Sequence, residues 1–321
     1  MVAYGLILAP PSGDPWHDRR MPVARPAAEL TTSRHAVDAA FAREVAERAG
    51  AILLERYERV GEVSYKSAKD VVTEVDHLSE ALILGAIRER FPSDGILAEE
   101  SGEHRGRSHG ERGGRGGAPR DSGADRAEAA ARSLASGRSW VVDPLDGTIN
   151  YANGLPLFCV SVALVVDGRP TVGVVHEPLR GETFWATADG PAMLGGRVLT
   201  VSAKDKSTDL VLQLALAGRA VATRARAVRK AVRVTRNIGS SALAFTYVAA
   251  GRFDAAIQTA GMSAWDIAAA GLIAERAGAV VTDAEGGPWF DLSRATRAFG
   301  CLAAPPAHHA ELLRLSRQPR G

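Results

Sequence analysis

The chain reads as a mixed α/β protein, with an α+β first half and an α/β second half. Three observations predict this. Helical spacing of apolar residues dominates 33–91; short β-branched runs parted by turn residues fill 139–201; and from about 203 onward strand-like and helix-like segments alternate. The 321 residues supply material for roughly two domains. At 46% hydrophobic and 24% charged residues the composition supports a large core, which excludes a disordered or fibrous chain. The formal charge of +2, from 39 basic and 37 acidic residues, provides no overall pull toward nucleic acid or anionic lipid, and so argues against a nucleic-acid partner. No apolar run approaches the ~20 residues of a membrane span. Cys159 and Cys301 lie far apart in apolar settings, which predicts core positions rather than a disulfide, and with them a reducing, cytoplasmic location.

Residues 1–30 carry five prolines and no periodicity, so they are expected to form a disordered tail. Thr32 or Ser33 is placed to cap a first helix, with Phe41, Val45, Ala49 and Ile52 on one face and an end near Arg59. An extended segment over 66–76 ends at Asp76. A second helix follows on the stripe Leu78, Leu82, Ala86 and Ile87, closed by Phe91-Pro92. Residues 96–98 read as a strand that delivers Glu99 and Glu100. Residues 101–137 are expected to form a disordered insertion, because 101–123 hold eight glycines and five arginines with almost no large apolar side chain. The lack of interleaved aromatics there argues against contact with RNA bases.

The segment 139–156, SWVVDPLDGTINYANGLP, is the richest in chemistry. Trp140–Val142 suits a buried strand, which Pro144 is expected to stop just after Asp143. Asp143 and Asp146 then stand three apart across a Pro-x-Asp-Gly turn, with Gly147 allowing close backbone approach and Thr148 supplying a hydroxyl. Two carboxylates about 4 Å apart repel by about 4 kcal/mol at an intermediate dielectric, so a cation or a shared proton is the physical reason for such a pair. Pro-Leu-Asp-Gly is also an ordinary turn sequence, and Asp76 and Asp266 each stand where a helix cap would.

Beyond it, 158–166 and 171–176 predict a hairpin around Asp167-Gly168-Arg169-Pro170, and 182–186 and 197–201 add strands. The second half alternates a strand at 210–214, a basic helix at 219–232, a helix at 240–250, a strand at 253–257, a helix at 264–277 carrying Asp266, and a strand at 279–282. His308-His309 is expected to be exposed. The domain reading is a tail at 1–30, an α+β domain at 31–202 and an α/β domain at 203–321.

Trp140 to Tyr151 and Trp265 to Gly278 together resemble the two signature motifs of the inositol monophosphatase family. Lys66 to Asp76, Ala98 to Ser101 and Gly239-Ser240-Ser241 fall in the family's motif order. The resemblance implies a layered α-β-α-β-α sandwich and a lithium-sensitive, magnesium-dependent phosphomonoesterase, assembled as a homodimer. Metal-activated water would attack a small phosphorylated metabolite, inositol 1-phosphate first. It further implies two or three Mg²⁺ ions on Glu99, Asp143, Asp146, Asp266 and the backbone carbonyl of Leu145, with Thr148 and Asp76 as the hydrogen-bonded pair that orients the water. Oxygen ligands without His or Cys suit a hard cation such as Mg²⁺. Substrate contacts are expected at Asp146, Gly147, Thr148, Gly239, Ser240 and Ser241, and at Gln258, where inositol-selective members carry Glu. The segment 66–70 looks one residue shorter than the family's and the insertion longer. Histidinol phosphate, fructose 1,6-bisphosphate and 3′-phosphoadenosine 5′-phosphate are the alternative substrates. A non-catalytic, RNA-associated regulatory protein on the same fold is the alternative of another class.

Overall fold

The computed structural model describes residues 33–57, 63–67, 70–104, 137–294 and 298–317. The expected tail at 1–30, and 105–136 of the expected insertion, lie outside these residues. The described chain runs α1 (Ala36–Arg56), a β1–β2 hairpin (Val63–Ser67, Asp70–Thr73), α2 (Glu74–Arg90), β3 (Gly95–Ala98), β4 (Gly102–His104), β5 (Arg138–Asp146) and the short α3 (Thr148–Ala152). There follow β6 (Cys159–Val166), β7 (Arg169–Glu177), β8 (Glu182–Thr187), β9 (Met193–Leu194) and β10 (Arg197–Val198). The remainder is β11 (Val211–Ala215), α4 (Val221–Ala231), β12 (Val234–Arg236), α5 (Ser241–Ala249), β13 (Ala255–Met262), α6 (Ala264–Arg276), β14 (Val280–Asp283), β15 (Phe299–Ala304) and α7 (Pro306–Arg317).

Two sheets form, an eight-stranded one in the order β10-β9-β8-β7-β6-β5-β3-β4 and a five-stranded one in the order β12-β11-β13-β15-β14. The two-residue period of the strands sorts their side chains into layers. Trp140, Val142, Val160, Val162, Leu164, Val172 and Val174 pack against α1 and α2. Their alternates Val141, Ala163, Val165 and Val175 face α5 and α6. Ala256, Cys301 and Ala303 of the second sheet join that same middle core, while Leu212, Ile257, Leu302 and Ala304 turn outward onto α4 and α7. The layers therefore run α-β-α-β-α, as expected. Both cysteines are buried and free. Among the described residues no helix is long and apolar enough to cross a membrane.

Several local expectations are corrected. Helix α1 starts at Ala36, since Ser33 instead accepts from the His35 N–H and donates to Asp189. The buried face of α2 is Val75, Asp76, Ser79, Glu80, Ile83, Leu84 and Ile87, and Leu78 is 38% exposed. Its polar members hide that face from a purely apolar count. Residues 102–104 are not disordered but pair with β3 as β4. Pro144 does not end β5: the register passes from Asp143↔Ser161 to Asp146↔Cys159, three steps against two, so the proline occupies a bulge where no ladder N–H is needed. The β6–β7 turn is only Asp167-Gly168, with φ of 50° and 74°, the left-handed pair that a two-residue hairpin requires. The strand expected at 253–257 runs on to Met262; β15, too rich in small residues to stand out, joins the second sheet, and the polar α7 packs on its outer face. His308 and His309 are buried on α7, bonded to the Lys204 carbonyl at 2.6 Å and the Thr282 hydroxyl at 3.0 Å.

The middle helical layer lies close to the first sheet because both surfaces are small. A Cβ on Gly173 of β7 would meet the Ala269 carbonyl oxygen of α6 at 2.7 Å and its Cα at 2.9 Å. Backbone on both sides leaves no side chain to swing aside. Gly173→Ala is therefore expected to destabilise the protein by about 1–3 kcal/mol, read as a lowered urea midpoint. A midpoint equal to wild type would mean that the two layers slide apart freely.

Candidate active site

The bulge in β5 lets Asp143 and Asp146 share one side of the strand end, and the first turn of α6 brings Asp266 to meet them. Each of these three acids offers a carboxylate oxygen within 4.8 Å of the others. Asp266 also caps its own helix: its Oδ2 accepts the Ser263 N–H at 2.7 Å in a capping box. The plain cap and the site residue are thus one side chain. Asp146, 7% exposed, is held at the N-terminus of α5, where Oδ1 accepts from the Ser241 N–H at 3.1 Å and Oδ2 from the Ala242 N–H at 2.7 Å and the Ser240 hydroxyl. These donors and the positive end of the helix favour a charged carboxylate there.

Burial dominates all the same. It pushes Asp143 well above the ordinary carboxylate range, with Glu99, Asp146 and Asp266 adding their repulsion. Asp146 is also raised by burial, against the pull of its hydrogen bonds from Ser240, Ser241, Ala242 and Leu243. Asp143 Oδ1 accepts the Leu145 N–H at 3.0 Å, but its Oδ2 is buried without a hydrogen-bond partner. An orphaned, buried carboxylate oxygen among other acids fits a bound cation, and the all-oxygen donor set fits a hard one. Cys159 Sγ lies 3.7 Å from Asp146 Oδ2, yet burial raises that thiol far above its usual value, so it stays protonated and donates rather than ligates.

The cluster opens into a cleft of about 720 Å³ whose lining includes Glu99, Asp146, Gly147, Thr148, Gly239 and Asp266. Glu99 stands beside Asp143 but outside the tightest group of acids. The Thr148 hydroxyl lies 3.2 Å from Asp76 Oδ1 and 3.0 Å from the Leu145 carbonyl. Ser240 and Ser241 back the cleft through Asp146. Gln258 is half-buried within β13, does not line the cleft, and accepts from the Ser241 hydroxyl at 3.1 Å. Between Gln258↔Cys301 and Met262↔Phe299 the register slips, and it is Gly261 that reaches the lining instead.

Sequence reasoning missed three residues that hold this arrangement. On α2, Ser79 donates to the Pro144 carbonyl at 2.9 Å and Glu80 accepts the Glu100 N–H at 2.9 Å, so the face that carries Asp76 grips both acid-bearing segments. Their i+3 and i+4 spacing from Asp76 is the signal that could have found them. Asn150 bridges the Leu157 and Ile238 carbonyls at 2.7 and 2.8 Å, tying α3 to the Gly239 segment.

A sequence profile of the inositol monophosphatase family matches residues 35–319. The Nus factor SuhB of Pasteurella multocida is 36% identical over 263 residues, covering 77% of this chain and 85% of that protein. Among solved structures, the extragenic suppressor protein suhB of Bartonella henselae superposes with a TM-score of 0.73 at 28% identity, covering 88% of this chain and 98% of that one. The Thermotoga maritima IMPase gives 0.70 at 29% identity, covering 87% and 96%.

The buried acids carry a signed consequence for stability. In the metal-free protein the native state holds a proton on Asp143 more tightly than the unfolded chain does. Stability therefore falls as pH rises from the ordinary carboxylate range through the raised native value. Asp143→Asn is expected to raise the metal-free Tm at neutral pH and to flatten this decline, measured by thermal melts in chelator across that range. A lower Tm at neutral pH would show that the carboxylates do not strain one another.

Proposed function

Because the chain belongs to the inositol monophosphatase family, we propose that it is a magnesium-dependent phosphomonoesterase acting on inositol 1-phosphate or a similarly small phosphorylated metabolite. One observation carries this reading: the orphaned Asp143 oxygen sits in an all-oxygen acid cluster beside the Thr148–Asp76 pair, just behind a cleft that Asp146, Thr148 and Asp266 line. Glu99, Asp143, Asp146, Asp266 and the Leu145 carbonyl are the residues that would hold Mg²⁺. When bound, the cation would neutralise phosphate charge, lower the pKa of water and stabilise the departing alkoxide.

The chain's own groups supply the rest. Thr148 Oγ1 carries one proton and faces two acceptors, so it donates to only one at a time. When it donates to Asp76, its lone pairs remain to accept a hydrogen bond from a water in the cleft and to aim that water at phosphorus. Asp76, fully buried, holds the threonine in that orientation and favours withdrawal of the water's proton through it. Gly147, with a φ of 96°, brings backbone close to the cleft, and the N–H groups at Gly147 and Thr148 would donate to phosphate oxygens. Gly239 would meet the alcohol portion, with Ser240 and Ser241 holding Asp146 from behind and Gln258 acting through Ser241.

A second reading draws on the relatives' name. Proteins called Nus factor SuhB support a regulatory, RNA-associated role for this fold, and that name goes against the expectation, drawn from net charge, of no nucleic-acid partner. The two readings part on turnover. Phosphate release from a panel of monoesters is expected with Mg²⁺ and absent in excess chelator, and lithium is expected to inhibit it. Thr148→Ala should lower kcat by about 10²–10⁴-fold with little change in KM. No release from any monoester with Mg²⁺ present would leave the regulatory reading standing alone.

Substrate choice gives a further test. Gln258→Glu is expected to shift relative kcat/KM toward inositol 1-phosphate, against histidinol phosphate and fructose 1,6-bisphosphate, by about 1–3 kcal/mol. Unchanged ratios would place selectivity in the residues that line the cleft themselves, Gly261 being the next to vary.

A further inference from the structure

We propose that a second cleft, at the opposite end of α6 from Asp266, binds a nucleoside phosphate. This cleft measures about 840 Å³, within the range of small-molecule sites. Helix α6 presents Asp266 to the catalytic cleft and Arg276 to this one; ten residues at about 1.5 Å each set the two about 15 Å apart along the helix.

Three guanidinium groups from separate elements line it: Arg34 just before α1, Arg169 at the start of β7, and Arg276 at the end of α6. Arg276 donates through Nε to the Gly190 carbonyl at 2.6 Å, and Arg34 through Nε to the His35 ring at 3.1 Å. Each is thereby steadied at Nε, and the planar fork formed by its terminal nitrogens is left for a ligand. Among the described residues Arg169 forms no ion pair. Asp167 and Glu275 also line the cleft, and neither neutralises these arginines by an ion pair among the described residues. The arginines suit phosphate oxygens, which a planar fork grips bidentately. The two carboxylates suit sugar hydroxyls, as acceptors. An aromatic wall completes the set: the buried Trp289 backs the half-exposed Phe290, their ring centroids 5.4 Å apart, and the exposed part of the Phe290 ring suits a flat base. The frame is rigid, because the Asp167-Gly168 turn is a tight hairpin and Trp289 is wedged against Gly271.

Calorimetric titration of the full chain in excess chelator, which keeps cations from the acid cluster, tests the assignment with adenosine 5′-monophosphate, inorganic phosphate and adenosine as probes. One nucleotide is expected per chain, held more tightly than phosphate or adenosine alone. The exposed double variant Arg169→Ala/Arg276→Ala should bind it at least tenfold more weakly while keeping its far-UV circular dichroism, its Tm and its phosphate release from inositol 1-phosphate. Phe290→Ala should weaken the nucleotide and spare inorganic phosphate. Excess inositol 1-phosphate should not displace the nucleotide. The proposal is overturned by no nucleotide binding up to millimolar concentration, by adenosine binding as tightly as its phosphate, by an unaffected double variant, or by displacement of the nucleotide by inositol 1-phosphate. A short single-stranded RNA bound where the mononucleotide is not would equally overturn it, since surface charge rather than the cleft would then be the binding element.

Discussion

Mutual repulsion among buried carboxylates is the constraint to which the rest of the molecule is fitted. Asp143, Asp146 and Asp266 come from a strand end and from the first turn of a helix in the other half of the chain, and nothing about their charges draws them together. What holds them is neutral structure. The bulge in β5 turns two acids the same way, α5 presents its N-terminal N–H groups to Asp146, and a capping box fixes Asp266. Each acid is anchored by backbone donors before any cation is considered, so the cluster is preformed rather than gathered by the ion.

Helix α2 contributes the other half of this support. One face of it is polar and buried, an arrangement that ordinarily costs stability, yet every polar group on it named here has a partner in a segment that bears an acid. Asp76, Ser79 and Glu80 thereby fix the Thr148 hydroxyl, the Pro144 carbonyl and the backbone at Glu100 relative to one another. The small residues of α6 serve the same end by different means. With Gly173 beneath Ala269, the helix lies near enough to the sheet for its first turn to reach the strand end.

Much of this was legible in the sequence, and the failures have physical causes. The two acid motifs, the alternating apolar strands and the Ala-rich helix each announced themselves, because short-range spacing determines them. Pro144 was misjudged because a proline in a strand argues for an end only when its N–H would be needed, and a bulge removes that need. Ser79 and Glu80 were passed over because burial of polar groups depends on distant partners. Gln258 was expected to contact substrate just past a strand ending at 257, whereas β13 runs on to Met262 and the slip before that residue carries Gly261 to the cleft. His308 and His309 looked solvent-facing because the partners that allow their burial, the Lys204 carbonyl and the Thr282 hydroxyl, lie far off in the chain.

The hydrogen bonds between Asp146 and the start of α5 span 94 to 96 positions of sequence. Closing so long a loop is entropically unfavourable until both sheets have formed most of their own contacts, so these bonds belong to a late stage of folding. A nascent or partly folded chain would carry all of its acids without holding them in one place. Tight capture of a divalent ion would then be a property of the finished molecule alone, and such an ion would slow unfolding by acting on the contacts that formed last.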